Sequence, residues 1–166
     1  MTLSTNRSQA PSATIQTTSA EETRAFAAAL ASVAKPGDRI ALLGPLGAGK
    51  TQFAKGFAVG LGVKEIVNSP SFTLMAEYAG RLPLFHQDLY RLNGAEEVLG
   101  GGLMDDRQED GVTLIEWGER LPRRLDARRL SVVFQVGAED ERTITVSAVI
   151  PSQGRYVKVA SAWSAQ

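Results

Sequence analysis

Residues 44–51 read GPLGAGKT, and this segment limits the folds open to the chain more than any other feature. It matches the pattern G-x-x-x-x-G-K-[ST] of a phosphate-binding loop, or P-loop, whose glycines let consecutive amides turn inward around a phosphate chain. In such a loop Lys50 binds the β- and γ-phosphates, and the Thr51 hydroxyl is placed to ligate Mg²⁺. The predicted nucleotide-binding residues of the loop are Gly44, Pro45, Leu46, Gly47, Ala48, Gly49, Lys50 and Thr51.

The sequence on either side of this segment has the order that a P-loop requires. Residues 39–43 (RIALL) form a short apolar run, which is typical of a buried parallel strand. After the loop, Phe53, Phe57 and Leu61 form one apolar stripe of a helix that ends near Gly62. Strand, loop and helix in this order aim the helix N-terminus at a bound phosphate, so the sequence predicts binding of a nucleoside triphosphate.

Composition restricts the remaining possibilities. The length of 166 residues suits one domain with a three-layer core. Eighteen basic residues balance eighteen acidic ones, so any contact with RNA is expected to go through a partner. The absence of cysteine excludes disulfides, thiolate catalysis and cysteine-bound metal. No apolar run reaches membrane-spanning length and residues 1–13 lack the apolar core of a signal peptide, so we expect a cytoplasmic protein without membrane contact.

Patterning along the chain predicts its organisation. We expect residues 1–13, rich in Ser, Thr and Asn, to be a disordered tail, residues 14–150 to form a single P-loop domain, and residues 151–166 to be a loose C-terminal tail. An edge strand is predicted at 14–17, followed by a helix that starts after a Thr18 or Ser19 cap and runs to about residue 34. The other predicted elements are hairpins over 74–88 and 132–149, a short acidic helix over 96–99 and a buried strand over 112–115.

Two acidic residues, Asp88 and Glu116, directly follow apolar runs that we interpret as strands. In an α/β sheet ligands bind beside the carboxyl ends of the strands. A P-loop also needs a carboxylate to complete the coordination of magnesium, and usually a group that orients the attacking water. The alternative is that each acid only ends a strand at the surface. Because both acids occur in a chain that carries a P-loop, the functional interpretation is favoured.

Four motifs in fixed order make the chain resemble the TsaE family of small bacterial P-loop ATPases: GPLGAGKT at 44–51, SPSFTL at 69–74, HQDLYRL at 86–92 and IEW at 115–117. The resemblance covers roughly residues 17–149. It implies a three-layer α/β fold of the P-loop NTPase type, with a mixed parallel and antiparallel sheet and helices on both faces. It also implies an Mg²⁺-dependent ATPase in tRNA threonylcarbamoyladenosine synthesis, slow alone and stimulated by two partner proteins, TsaD and TsaB, that carry out the transfer to tRNA.

The resemblance also implies catalytic roles for matching positions. Lys50 would hold the phosphates of ATP, while Thr51 and Glu116 would bind Mg²⁺. Asp88 would be a second carboxylate that reaches the metal or orients the attacking water. The predicted catalytic residues are therefore Lys50, Asp88 and Glu116.

Further roles are implied outside the P-loop. Segment 69–74 would be a switch-like loop in which the hydroxyls of Ser71 and Thr73 sense the γ-phosphate. Ser19 and Arg142 would flank the adenine. The family usually has Thr at position 71. This chain has Ser there, so the hydroxyl is retained.

Other interpretations stay open for the whole chain and for single residues. A small-metabolite kinase would need an arginine-bearing lid, and the short, glycine-broken stretch between the two acids argues against one. A pure nucleotide-binding scaffold would be expected to lack a hydrolytic carboxylate. His86, the only histidine, is a structural residue or a partner of a site residue, and Trp117 belongs to the core or shields the site. A basic run is interpreted as a solvated face rather than a tRNA contact; it comprises Arg120, Arg123, Arg124, Arg128 and Arg129.

Overall fold

The structure, a computed structural model, describes residues 10–70, 73–92, 103–122 and 126–163. These residues contain one seven-stranded sheet, three α-helices and three short 3₁₀ turns. The strands are β1 (Ser12–Thr17), β2 (Arg39–Leu43), β3 (Met75–Tyr78), β4 (Leu84–Asp88), β5 (Val112–Glu116), β6 (Leu130–Val136) and β7 (Arg142–Ser147). The helices are α1 (Ala20–Ala31), α2 (Lys50–Gly60) and α3 (Gly154–Ala162), and the turns span Asp106–Asp110, Gly118–Arg120 and Pro151–Gln153.

The sheet has the order β1-β7-β6-β2-β5-β4-β3, which places the P-loop strand β2 at its centre. β2 pairs in parallel with β5 and β6, and β4 extends the parallel part beside β5. β3 on one side, and β7 and β1 on the other, add antiparallel pairs. The predicted α/β fold with a mixed sheet is confirmed. Because β4 and β5 are parallel neighbours in register, Asp88 pairs directly with Glu116.

The larger hydrophobic core lies between the sheet and the helices. α1 and α2 pack closely because Gly56 has no side chain. A Cβ at this position would lie only 2.1 Å from the carbonyl oxygen of Arg24. From this position Phe53 of α2 reaches Phe134 of β6, with ring centroids 5.7 Å apart. The helix that follows the P-loop is therefore fixed both to the sheet and to α1.

A smaller core lies on the opposite face of the sheet. Neighbouring residues of a strand point to opposite faces, and in β5 Leu114 joins the larger core whereas Ile115 joins the smaller one. The other buried members of this core are Leu89, Leu92, Leu103 and Leu121. Leu89 and Leu121 follow β4 and β5, so this core anchors the chain just beyond each of the two acids.

The C-terminal segment corrects the prediction of a loose tail over 151–166. Pro151–Gln153 forms a 3₁₀ turn and α3 follows it, with Tyr156, Val157 and Ala160 buried in the larger core. Trp163, just after α3, extends this apolar face to about two helical turns, and its ring centroid lies 5.5 Å from that of Phe26. Because Tyr156, Ala160 and Trp163 recur at helical spacing, the sequence does contain the pattern of a short amphipathic helix, and the prediction of a loose tail is wrong.

Other boundaries also differ from the predictions. β1 starts at Ser12, inside the segment predicted to be disordered, because Ser12 and Ala13 pair with strand β7. α1 ends at Ala31 rather than near residue 34. The predicted helix over 96–99 and the switch residue Ser71 lie outside the described residues. No described helix is long and apolar enough to cross a membrane.

Part of the basic run is not a solvated face. Arg129 is buried, and its guanidinium donates hydrogen bonds to the carbonyl oxygens of Gly118 and Leu121 at 2.6 and 3.2 Å. It therefore fixes the turn after β5. Arg128 is exposed, as predicted, and Arg123 and Arg124 lie outside the described residues.

Candidate nucleotide-binding site

The P-loop joins β2 to α2. Gly47 and Gly49 have φ angles of 77° and 103°, in the left-handed region that favours glycine. A Cβ on Gly47 would meet nothing within 4 Å, so the backbone there faces open space. α2 begins at Lys50, and the first amides of a helix have no partner within the helix and bind anions. The loop and the helix start therefore present unpaired donors to the same space.

This space is a cavity of about 530 Å³, within the range usual for small-molecule sites. Its wall combines the P-loop with the ends of β4 and β5. The predicted site residues that line it are Leu46, Gly47, Ala48, Gly49, Lys50, Thr51, Asp88 and Glu116. The structure adds Gln52, Ser69, Tyr90, Arg91 and Trp117.

Lys50 is almost completely buried beside the loop. Its ammonium donates hydrogen bonds to the carbonyl oxygens of Gly44 and Pro45, the second at 3.0 Å. The same nitrogen lies 3.7 Å from the ring centroid of Trp117, within the range of a cation–π contact. Lys50 is thus held between the loop and the residue that follows β5.

Two opposing effects act on the charge of this lysine. Burial lowers the pKa of the Lys50 ammonium, because it removes the charged form from water. The carboxylates of Glu119, Glu116 and Asp88 act in the opposite direction. A phosphate bound beside the ammonium would add further negative charge and favour its charged form.

Thr51, Glu116 and His86 form a chain of hydrogen bonds across the cavity wall. The Thr51 hydroxyl donates to Oε1 of Glu116 at 2.9 Å. Oε2 of the same carboxylate lies 2.6 Å from Nε2 of His86, a contact that is buried on both sides. Two of the three residues predicted to reach Mg²⁺, Thr51 and Glu116, are therefore in direct contact.

Asp88 has a separate set of partners. Its Oδ2 accepts a hydrogen bond from the Ser69 hydroxyl, and its Oδ1 accepts one from the backbone amide of Tyr90 at 3.0 Å. The sequence singles out SPSFTL as a switch-like loop, but it does not identify Ser69 as the partner of Asp88. The only sequence signal for this contact is that Ser69 and Asp88 each lie in a family motif, SPSFTL and HQDLYRL.

An aromatic pair borders the cavity beyond the two acids. Tyr90 and Trp117 lie with ring centroids 5.0 Å apart, and the Arg120 guanidinium lies 5.5 and 5.8 Å from their centroids. Trp117 has a φ of 58°, unusual for a bulky residue, which turns the chain sharply after β5. Both interpretations of Trp117 have support, because its half-buried ring lies in the cavity wall and also packs against the smaller core.

A second cavity of about 100 Å³ lies on the other side of the P-loop, where Gly47 and Gly49 border both cavities. It brings together Ser19 and Arg142, the two residues expected to flank the adenine. Ser19 caps α1 by accepting a hydrogen bond from the Glu22 amide at 3.1 Å. Arg142 donates to the carbonyl oxygens of Gly47 and Ala48, both at 3.2 Å. The structure thus places both residues next to the loop.

Three described residues of the predicted site line neither cavity: Gly44, Pro45 and Thr73. Gly44 and Pro45 contact Lys50 through their carbonyl oxygens, so they remain part of the loop around the site. Only Thr73 lies apart from it. It is exposed, and its hydroxyl donates to the carbonyl oxygen of Met75 at 3.2 Å. A role for Thr73 at a bound phosphate would therefore require the segment before β3 to move.

The donors of the site fit a nucleotide with Mg²⁺. The described residues contain no group of three or more His, Asp or Glu side chains that could hold a metal by themselves. Mg²⁺ does not need one, because it commonly binds through one or two protein oxygens together with substrate phosphates and water. Thr51 and Glu116 supply adjacent oxygens at the start of α2, where unpaired amides favour phosphate.

Comparison with known proteins identifies the family. Residues 17–144 match the family model described as Threonylcarbamoyl adenosine biosynthesis protein TsaE. The chain belongs to the TsaE family. This TsaE sequence is 48% identical, over 135 residues, to the tRNA threonylcarbamoyladenosine biosynthesis protein TsaE of Bacillus subtilis (strain 168), covering 81% of this chain and 84% of that protein.

Other relatives agree with this assignment. The protein of the same name from Treponema pallidum (strain Nichols) is 40% identical over 129 residues, covering 78% of this TsaE chain and 96% of the relative. The fold is similar to the crystal structure of YdiB from Bacillus subtilis, with a TM-score of 0.69 and 41% identity. That similarity covers 90% of this chain and 92% of the other.

Proposed function

We propose that this TsaE-family protein binds ATP with Mg²⁺ and hydrolyses it in support of threonylcarbamoyladenosine formation on tRNA. The observation that carries the proposal is the contact between Thr51 and Glu116 at the start of the P-loop helix, with Asp88 paired beside Glu116 on the neighbouring strand. A loop that only held a nucleotide would not need two carboxylates at this edge. The membership of the TsaE family supplies the biological context.

Each residue of the site has a role in this proposal. The P-loop amides and the Lys50 ammonium bind the phosphates of ATP, and Thr51 and Glu116 hold Mg²⁺. Bound Mg²⁺ supplies positive charge that neutralises phosphate oxygens. Asp88, fixed by Ser69 and the Tyr90 amide, accepts a hydrogen bond from the attacking water and orients it. Ser19 and Arg142 contact the adenine in the second cavity.

The partners in this proposal are TsaD and TsaB, which carry out the threonylcarbamoyl transfer in the cytoplasm. The balance of 18 basic and 18 acidic residues supports an indirect contact with tRNA, through that complex. The exposed position of Thr73 supports stimulation by the partners, because a partner bound to this segment would be able to draw the Thr73 hydroxyl towards the γ-phosphate.

The test is phosphate release from ATP, measured with Mg²⁺ or with EDTA, for the wild type and for Lys50→Ala. We expect slow, Mg²⁺-dependent release that the TsaD–TsaB complex accelerates. Lys50→Ala should lower the rate on the order of 10³-fold, the scale on which a cation at the transferred phosphoryl group acts. Lys55→Ala is the matched control, because Lys55 lies on the same helix but not in the cavity.

Three outcomes would contradict the proposal. If Lys50→Ala hydrolyses ATP at the wild-type rate, the P-loop has no role in the reaction. Fast hydrolysis by the isolated protein, unchanged by the TsaD–TsaB complex, would exclude partner stimulation. Phosphate transferred from ATP to an added small molecule would favour a kinase instead.

A further inference from the structure

We propose that His86 is a positioning residue for Glu116. Its imidazole holds the carboxylate so that the other oxygen faces Thr51 and the cavity where Mg²⁺ would bind. This inference rests on the proposed function, because it assigns His86 a role in the metal site of that function.

The two oxygens of the Glu116 carboxylate have different partners. Oε2 lies 2.6 Å from Nε2 of His86, and Oε1 accepts the Thr51 hydroxyl at 2.9 Å. The terminal torsion of a glutamate is broad and weakly restrained when nothing holds it. With one oxygen fixed by the imidazole, the other has a defined direction. In many metal sites, a residue that hydrogen-bonds to a metal ligand sets the orientation of that ligand.

The sheet holds His86 rigidly enough for this task. His86 is 0% exposed, in the strand β4 between β3 and β5. It pairs with Ala76 on one side and with Leu114 on the other, and Glu116 lies two residues beyond Leu114. Strand pairing on both sides fixes the backbone of His86, and the complete burial of the side chain leaves the imidazole little room to rotate.

The remaining ring nitrogen indicates where the proton lies. Nδ1 of His86 is buried and has no hydrogen-bond partner among the described residues. A buried N–H without a partner is rare, whereas an acceptor without one is less costly. The proton therefore belongs on Nε2, where it is donated to Oε2 of Glu116. A histidine that only filled the core would have no need for this orientation.

Two substitutions separate positioning from packing: His86→Gln and His86→Met. Gln and Met have flexible side chains of similar length, but only Gln ends in an N–H donor. The affinity for ADP and for a non-hydrolysable ATP analogue is measured by calorimetry in EDTA and over a range of Mg²⁺ concentrations. Thermal unfolding of each variant is recorded alongside.

His86→Met should need roughly 10–100-fold more Mg²⁺ for the same gain in nucleotide affinity, the usual cost of losing a partner of a metal ligand. Its affinity in EDTA should stay at the wild-type value. His86→Gln should recover most of the Mg²⁺ response. Equal losses in both variants, present also in EDTA, would overturn the inference and leave His86 as a core residue.

The wild type tests the proposed function separately. If its nucleotide affinity does not depend on Mg²⁺, the metal role of Glu116 fails, and the role of His86 fails with it. If the wild type responds to Mg²⁺ and the two variants respond equally well, only the role of His86 fails.

A spectroscopic test needs no ligand and no variant. His86 is the only histidine, so an untagged ¹⁵N-labelled protein gives one set of imidazole signals. We expect the shifts of a ring with its proton on Nε2. A proton found only on Nδ1 would make Nε2 an acceptor facing a carboxylate, and would overturn the inference.

Discussion

The carboxylates at the two ends of strand β2 have partners of different kinds. At the amino end, Asp38 accepts hydrogen bonds from the Arg155 guanidinium, the Tyr156 hydroxyl and the Lys35 amide, the last at 2.9 Å. At the carboxyl end, the partners of Glu116 are a hydroxyl and an imidazole, at Thr51 and His86.

The same difference appears in the neighbours of these acids. Asp126 forms an ion pair with Arg39 at 2.8 Å, at the amino end of β2. Asp88, at the carboxyl end, accepts hydrogen bonds from the Ser69 hydroxyl and the Tyr90 amide.

Under the proposed function, we interpret the first group as acids that stabilise the fold and the second as acids that serve a ligand. An arginine neutralises the carboxylate inside the protein, so the pair contributes to stability and has little charge left for a cation. Hydroxyl and amide donors orient a carboxylate but leave its negative charge in place. We therefore expect substitutions at the carboxyl end to affect hydrolysis and those at the amino end to affect stability.

The largest effect is expected at Glu116. Glu116→Gln should lower Mg²⁺-dependent hydrolysis by at least about 100-fold, since losing even a partner of a metal ligand costs roughly 10–100-fold. Nucleotide affinity should fall mainly when Mg²⁺ is present. Steady-state phosphate release and calorimetry with and without Mg²⁺ measure both effects, and the melting temperature should change little.

Asp88→Asn is the companion variant that assigns the two acids. If Asp88 orients the attacking water, its loss should lower turnover by about 100-fold and leave Mg²⁺-dependent nucleotide affinity intact. The same two assays are used. Interchanged phenotypes for Glu116→Gln and Asp88→Asn would mean that the roles of the acids are reversed.

A smaller effect, of the opposite kind, is expected at Asp38. Asp38→Asn removes the charge that Arg155 and Tyr156 contact, and should lower the free energy of unfolding by about 2 kcal/mol, because hydrogen bonds to charged groups contribute roughly 1.5–3 kcal/mol. Urea unfolding measures this change. Hydrolysis per folded molecule should equal that of the wild type, and a loss of hydrolysis in the folded variant would contradict the division between the two ends.

The smallest effect is expected from Tyr156→Phe, about 1 kcal/mol at neutral pH. Burial, and then the Asp38 carboxylate, raise the pKa of the Tyr156 phenol. The folded protein thus keeps this proton at a pH where the unfolded chain loses it. The stability due to the protonated phenol is complete below pH about 10 and declines above it.

Unfolding in urea between pH 7 and 11 tests this sign. The wild type should lose stability above pH about 10, and Tyr156→Phe should lose less of it over the same interval. An alkaline decline that is the same in both proteins would show that Tyr156 is not its source.

Much of the site could be predicted because its parts are local or follow from topology. GPLGAGKT specifies the loop through the residues themselves, and the start of α2 at Lys50 follows from it. The pairing of Asp88 with Glu116 follows from two parallel strands that end together.

Other contacts depend on geometry that the sequence does not contain. Ser69 and Asp88 are 19 residues apart, and His86 and Glu116 are 30 apart. The first contact depends on the path of the segment that precedes β3, and the second on the register of β4 against β5. The placement of Trp117 beside Lys50 depends on the left-handed backbone conformation of Trp117 itself, which is unusual for a tryptophan. The sequence already suggests that His86 is a partner of a site residue, but the identity of that partner and the contacts of Ser69 and Trp117 could be recognised only in three dimensions.

The central position of β2 also affects when the protein can fold during synthesis. Both neighbours of β2 come late in the chain, since Ile40 pairs with Leu114 of β5 and with Leu130 of β6. The N-terminal residues leave the ribosome first, so β2 emerges with neither edge paired. A nascent chain that ends before β6 already carries GPLGAGKT, yet the strand that supports this loop has no partner on one side. We therefore expect nucleotide binding to begin only when nearly the whole chain has been translated.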